Sequence, residues 1–362
     1  MLLNIPSIAL KTQSIGLSSP ISYLLFTLLG VLIFTNKTKF PKQIVFLAGI
    51  SSLYFFIGSF QSNEGFIILF IVYVKFLLYI FGLFISLRHV NQNTIILLLL
   101  AGAITILLDS LYFRFNDFQG IDYVSKTGRY AGFYLNPNTA SVVCLVGLVL
   151  SITKKDTWGI VLSIAFSFLG FLTLSRTFII MWFLIIAIYL FYNRKHIINT
   201  FLFFGVALFI LVTFSEKLNL DADRFEFLIG LFSGSVNEEV LNNDSRQNTW
   251  AKFYYDILDS PIIGNGYASF SKSSDGVGVH NTFLLILGES GFLPFVLFIS
   301  VFVRLLYRTF RSIRYDISTF FLIITLTVML LVNHNFFTDG LLIFILTFII
   351  YKITQKTDIK II

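Results

Sequence analysis

The chain has 362 residues, of which 56% are hydrophobic and only 12% charged, with a mean hydropathy of +0.85 and a net charge of +7. A water-soluble domain carries about 25% charged residues, so soluble folds and nucleic-acid-binding modules drop out. The positive charge has to be read as a topology signal instead.

In chain order, the first segment is MLLNIPSIAL. It has neither a basic leader nor a long apolar core, so it reads as an interfacial or partly inserted segment rather than a cleavable signal. Apolar runs then follow near 19–35, 43–60, 65–87, 94–112, 137–153, 157–174, 177–192, 197–214, 281–303, 317–332 and 340–352. A run near 20 residues suffices to cross a bilayer, so the expected fold is an all-α polytopic integral membrane protein of about 11–12 transmembrane helices, one domain over 1–362. Cys144, the one cysteine, lies inside an apolar run, so no intramolecular disulfide is expected.

Alternate connections carry the basic residues. One set holds Lys37, Lys39, Lys42, Arg88, Lys154, Lys155, Arg194, Lys195, Arg304, Arg308, Arg311, Arg314, Lys352, Lys356 and Lys360, against only Asp156, Asp316 and Asp358. The positive-inside rule makes this set cytoplasmic. The other side then carries two long connections, 113–136 and 215–280. Connections of this length are usually functional or disordered. The second has folded character: 222–232 reads as a short helix. In 246–264, Trp250, Phe253, Tyr254, Ile257 and Leu258 recur at helical spacing, which suits a helix lying on the membrane surface. Pro261 and the Gly264-Asn265-Gly266 run end it.

The outer side holds few residues able to do chemistry. Arg129, Arg176 and Arg246 run against the charge bias and are candidate anion-binding groups, because a guanidinium offers two parallel, charge-assisted donors to a phosphate. Arg176 sits in a tight turn between two apolar runs, where it must snorkel or face a polar cavity. His280 opens an apolar run, and an imidazole there is either an interfacial side chain or a general base. Glu289 follows nine residues later, about 900° around a straight helix, so it faces away from His280 and reads mainly as a polar-network residue. Lys75 is a charge in mid-span, a default suspect for function. His334 is outer-facing too and reads first as an interfacial residue; the alternative is that it lines the same cavity. No H-E-x-x-H or comparable ligand spacing occurs, so no metal or other cofactor is expected.

The quoted stretches GRYAGFYLNPNTAS (128–141), LTLSRTF (172–178), SRQNTWAKFYYDILDSPIIGNGYASF (245–270) and HNTFLLILGESGFL (280–293), in that order, resemble the bacterial O-antigen polymerase and O-antigen ligase superfamily. The resemblance covers roughly 128–293; outside it only hydropathy matches. It implies a GT-C-type helical bundle with a large periplasmic loop of short amphipathic helices, in the bacterial inner membrane with the active site facing the periplasm. It implies a metal-independent glycosyltransferase whose donor is a glycan on undecaprenyl diphosphate. Arg176 and Arg246, with Arg129, would grip the diphosphate, and His280 would orient or deprotonate the acceptor hydroxyl. Asn136, Asn138, Asn281, Tyr267, Glu289 and Lys75 join Arg129 as expected substrate-binding residues. The first expectation is a polysaccharide polymerase, for O-antigen or capsule, extending a lipid-linked repeat unit. A ligase acting on lipid A–core ranks second, and a non-enzymatic transporter or flippase well below. Expected partners are the lipid-linked oligosaccharide, membrane lipids, a chain-length regulator and a flippase.

Overall fold

In an apolar solvent each backbone N–H and C=O needs a partner within its own segment, so long apolar runs fold as helices. The computed structural model describes residues 2–11, 15–62, 64–113, 128–154, 156–193, 246–271 and 277–359, with scattered positions between 205 and 230. Among the described residues the regular structure is all helical. The helices are α1 (Ile5–Lys11), α2 (Ile15–Thr35), α3 (Lys42–Gly58), α4 (Phe66–His89), α5 (Gln92–Leu108), α6 (Pro137–Ile152), α7 (Thr157–Phe171), α8 (Arg176–Tyr192), α9 (Arg246–Ala251), α10 (Tyr254–Asp259), α11 (Thr282–Ser290), α12 (Phe292–Arg311), α13 (Ile317–Val332) and α14 (Gly340–Ile359). Four described stretches, Ser18–Thr35, Phe66–His89, Gln92–Leu111 and Phe292–Arg311, are long and apolar enough to cross a membrane, which is compatible with a polytopic membrane protein. The run at 197–214 and the short helix at 222–232 lie largely outside the described residues, as does most of 113–136.

Helix starts follow capping chemistry. Asn91 accepts from the Thr94 N–H at 2.8 Å, and Asp156 from that of Gly159 at 2.8 Å. Asn281 accepts from Phe283 and Leu284, at 2.9 and 3.1 Å. Each supplies an acceptor to first-turn amides that have no partner within the helix.

The chain divides into two compact units, Met1–Leu24 with Val90–Asn243, and Leu25–His89 with Asp244–Ile362. In the first, α6 is the centre: nearly every residue from Ala140 to Ile152 is buried, and α5, α7 and α8 pack around it. The Trp182 Nε1–H donates to Ser167 Oγ at 2.8 Å and ties α8 to α7. In the second, α4 packs on α14 and α12 on α13. An aromatic cluster fills its interior, with Tyr54 stacked on Phe337 at 4.2 Å and Phe298 edge-on to Phe336 at 5.3 Å.

Two expectations are corrected. The run 281–303 is two helices, α11 and α12, broken at Gly291. That residue has φ 78° and ψ −170°, a conformation that L side chains avoid. The break is held in place because the Phe292 N–H donates to the Pro261 carbonyl at 2.9 Å, and a Cβ at Gly291 would overlap the Ile262 carbonyl. The segment 246–264 is likewise two short helices, and the face expected to lie on the membrane is divided: Phe253 and Ile257 are buried in protein, while Tyr254 and Leu258 remain exposed. Phe253 and Ile257 pack with Phe270, Val279 and Leu285, and Trp250 packs against that cluster. Protein thus covers Trp250, Phe253 and Ile257, three of the five residues expected to face lipid.

Replacing Gly291 with Ala should therefore cost about 2 kcal/mol or more. The check is the midpoint of thermal unfolding in detergent, which should fall; an unchanged midpoint would show that the break tolerates a side chain.

Candidate functional site

The candidate residues fall into two clusters, one in each unit. The first is built on the loop before α6 and the turn before α8. The loop carrying Arg129 runs beside that turn: the Tyr130 N–H donates to the Leu172 carbonyl at 3.3 Å, and Arg129 Nε to the Thr173 carbonyl at 3.4 Å. Asn138 joins the two segments. Its Oδ1 accepts from Arg129 Nη2 at 3.4 Å and from Ser175 Oγ at 3.2 Å. Asn136 caps α6 by accepting from the Asn138 N–H at 2.8 Å, and Pro137 occupies the first turn, where no N–H is needed.

Arg176 is the first residue of α8 and is half-buried. Ser175 stands at the capping position but makes no side-chain cap bond, since its hydroxyl is directed to Asn138. A cation at a helix N-terminus opposes the helix dipole. The arrangement becomes favourable once an anion is held there, because guanidinium and first-turn amides then act together.

Polar support for this cluster comes from Asp109, an acid near an outer span end that ranks below the arginines as a candidate, and from Thr105, which no sequence signal marks. Asp109, buried in a single π turn (Asp109–Phe113) after α5, accepts from the N–H groups of Ala131 and Gly132 at 3.1 and 2.9 Å. Thr105 Oγ1 accepts from the Phe133 N–H at 3.0 Å. The Asp221 N–H donates to the Gly128 carbonyl at 3.2 Å, which brings the described start of the long connection to the residue before Arg129. No short-range periodicity marks these partners; they lie 20 or more residues from the backbone they hold.

The second cluster is built on the connection into α11. Glu289 is 1% exposed. Its carboxyl accepts from the Tyr54 hydroxyl and from the Phe270 N–H at 3.3 Å. The Pro261-to-Phe270 loop folds onto the end of α11: the Asn265 N–H donates to the Gly288 carbonyl at 2.7 Å and the Gly266 N–H to the Glu289 carbonyl at 3.1 Å. Gly264 (φ +76°) lies against the Glu289–Ser290 peptide, where a Cβ would overlap the backbone. The P-x-x-G-x-G and G-E-x-G stretches are thus two halves of one packed contact. Tyr267 hangs from this loop, its N–H donating to the Gly58 carbonyl at 2.8 Å. Burial first, then the nearby Glu289 and Glu64 carboxyls, push its phenol up to about 12, so it stays a neutral hydrogen-bond donor near pH 7.

His280 is half-buried with φ +47°, uncommon for a residue with a side chain. Its ring meets that of His334 edge-on, with centroids 4.8 Å apart and planes at 68°. Gly278 leaves room for the His334 ring, and Thr282 Oγ1 donates to the Asn333 carbonyl at 2.6 Å, fixing the two segments side by side. Asn281, 4% exposed, has its side-chain oxygen engaged in capping α11. Lys75 lies on α4 with its Nζ 5.5 Å from the Phe26 ring centroid, an apolar-side contact for a mid-span cation. Arg246 begins α9; its side chain lies outside the described residues. Among the described residues no group of three His, Cys, Asp or Glu side chains is placed to hold a metal ion.

Comparison of the chain with protein-family models, with curated proteins and with solved structures returns no match.

Two expectations follow from these geometries. In a double-mutant cycle, Asn138→Ala and Ser175→Ala should couple by about 1 kcal/mol in unfolding free energy; additive effects would mean the bond is idle. Tyr54→Phe removes a donor from a buried carboxyl and should cost roughly 1–3 kcal/mol, read as a lower unfolding midpoint, with Glu289→Gln restoring part of that loss when combined with it.

Proposed function

We propose that the protein is a polysaccharide polymerase. It transfers a growing glycan from undecaprenyl diphosphate to the non-reducing end of a lipid-linked repeat unit, on the outer side of a bacterial inner membrane. The reading rests on the ordered motif resemblance. The single structural observation that supports it most is Asn138, which fastens the Arg129 loop to the turn that presents Arg176 at the start of α8. That arrangement gathers guanidinium and helix-terminal amides, the donors suited to a diphosphate.

In this reading Arg129 and Arg176, with Arg246, bind the diphosphate and stabilise the charge that develops on it as the glycosidic bond breaks. His280 receives the proton of the acceptor hydroxyl as that oxygen attacks the anomeric carbon. Tyr267, a neutral phenol held by the α11 contact, suits a hydroxyl-rich glycan as a hydrogen-bond donor. Glu289 is a positioning residue, since its carboxyl is engaged with Tyr54 and Phe270. The bundle is then of GT-C type, with 11 to 12 spans expected from hydropathy, and the resemblance implies no metal ion.

Purified protein in liposomes, supplied with undecaprenyl-diphosphate repeat units and a chelator, should lengthen them. Given a repeat unit and lipid A–core together, it should glycosylate the repeat unit; transfer to lipid A–core alone would make it a ligase. His280→Ala should abolish transfer while the unfolding midpoint stays put. Arg176→Lys keeps the charge but loses the fork and should lower turnover about 100-fold. Full turnover in either variant would remove that residue from the mechanism.

A further inference from the structure

The short helix α10 has three sides. At 100° per residue, Phe253 and Ile257 fall on one, and both are buried in the cluster with Phe270, Val279 and Leu285. Asp256 and Asp259 fall on a second, and both are exposed. Tyr254, Tyr255 and Leu258 occupy the third, at 48%, 79% and 71% exposure. An exposed apolar side between a protein-covered side and an acidic side is not what a water-surrounded loop needs.

The chain then continues this apolar side. Ile262 and Ile263, exposed at 77% and 50%, follow Pro261. Their position is fixed by the Phe292 N–H bond to the Pro261 carbonyl and by the close approach of Gly291 to Ile262. Phe292 and Leu293, exposed at 60% and 54%, begin α12. Exposed apolar residues run on along α12 through Val296, Val303, Tyr307 and Phe310, and this helix is long and apolar enough to cross a membrane. Its far end carries Arg304, Arg308 and Arg311. The Leu258–Ile263 patch therefore joins the opposite end of a surface that would face hydrocarbon along its length.

We infer that Tyr255, Leu258, Ile262 and Ile263 form a lip that dips into the lipid layer at the Phe292 end of α12, so that the occupant of this apolar patch is the bilayer itself. Leu258 belongs to the face that the helical periodicity picks out, but Phe253 and Ile257 of that face are covered by protein, so the lip is displaced around the helix toward Tyr255. Asp256 and Asp259 stay on the water side. A charged side and an apolar side on either flank of a protein-packed side suit a segment seated at the headgroup boundary. This inference does not rest on the transferase reading.

The test uses the full chain in liposomes. Cys144 is the only cysteine and is buried, so Cys144→Ala gives a background for single-cysteine labelling at Leu258→Cys, Ile262→Cys and Asp259→Cys with an environment-sensitive fluorophore. Labels at 258 and 262 should emit to the blue and lose most of their emission to lipids bearing a quencher near the headgroup end of the acyl chain. The label at 259 should respond to aqueous iodide instead. Iodide quenching of 258 and 262 equal to that of 259 would overturn the inference. Shielding of 258 and 262 from both quenchers would overturn it in favour of a protein partner on this patch. The readout is independent of activity, so a failure here and a failure of the proposed reaction are separately visible.

Discussion

A carboxyl group taken out of water must be supplied with donors, and the way Glu289 obtains them shapes much of the second unit. One donor, Tyr54, comes from α3, and another from the backbone of Phe270 in the loop before α11. To deliver that N–H, the Pro261-to-Phe270 loop has to lie flat on the last turn of α11. Flat contact requires backbone against backbone, which is why glycines stand at 264 and 291. The break at Gly291 then sets where α12 begins. One buried acid thus accounts for a helix that stops early, a loop that doubles back and a tyrosine that faces a polar partner amid aromatic rings. Unsatisfied buried polar groups are expensive enough to dictate such geometry.

The first unit solves the converse problem, in which donors need acceptors. A loop that crosses the end of a helical bundle leaves backbone amides without partners. Asp109, Thr105 and Asn138 supply side-chain acceptors to that loop, and the loop in turn presents Arg129. Asn138 serves structure and site together: the same oxygen that steadies the Arg129 guanidinium also diverts the Ser175 hydroxyl from capping α8. The first-turn amides next to Arg176 are left without a side-chain acceptor from that position.

Much of the helical layout was legible because apolar run length is a strong signal. The expected runs near 65–87, 137–153 and 317–332 correspond to helices Phe66–His89, Pro137–Ile152 and Ile317–Val332. Two features misled the sequence reading for the same reason. Periodicity reports that a face is apolar, but it does not distinguish lipid from protein as the cover. Phe253 and Ile257 were therefore placed against membrane when they pack on Phe270. Hydropathy likewise ran straight through Gly291, because a single glycine scarcely alters the average. Single polar residues were legible as unusual, but their partners were not. Nothing near Glu289 in sequence points to Tyr54, 235 residues away. The edge-on meeting of His280 with His334 spans less sequence, and hydropathy put both on the outer side, where one cavity could hold them, without setting the distance between them.

The burial of α6 has a consequence for how the molecule is assembled. A helix clothed in protein on nearly all sides has no permanent place beside lipid, yet it is synthesised before α7 and α8 exist. In a bilayer it would first be solvated by acyl chains and would exchange them for its neighbours as these arrive. Swapping one apolar contact for another yields little from the hydrophobic effect, so the association has to come from close van der Waals fit. The small side chains Ala140, Ser141, Cys144, Gly147 and Ser151, all buried, provide that fit. Variation along α6 should then show itself less in the finished protein's solubility than in the order and yield of insertion, where a bulky residue would delay the arrival of α7.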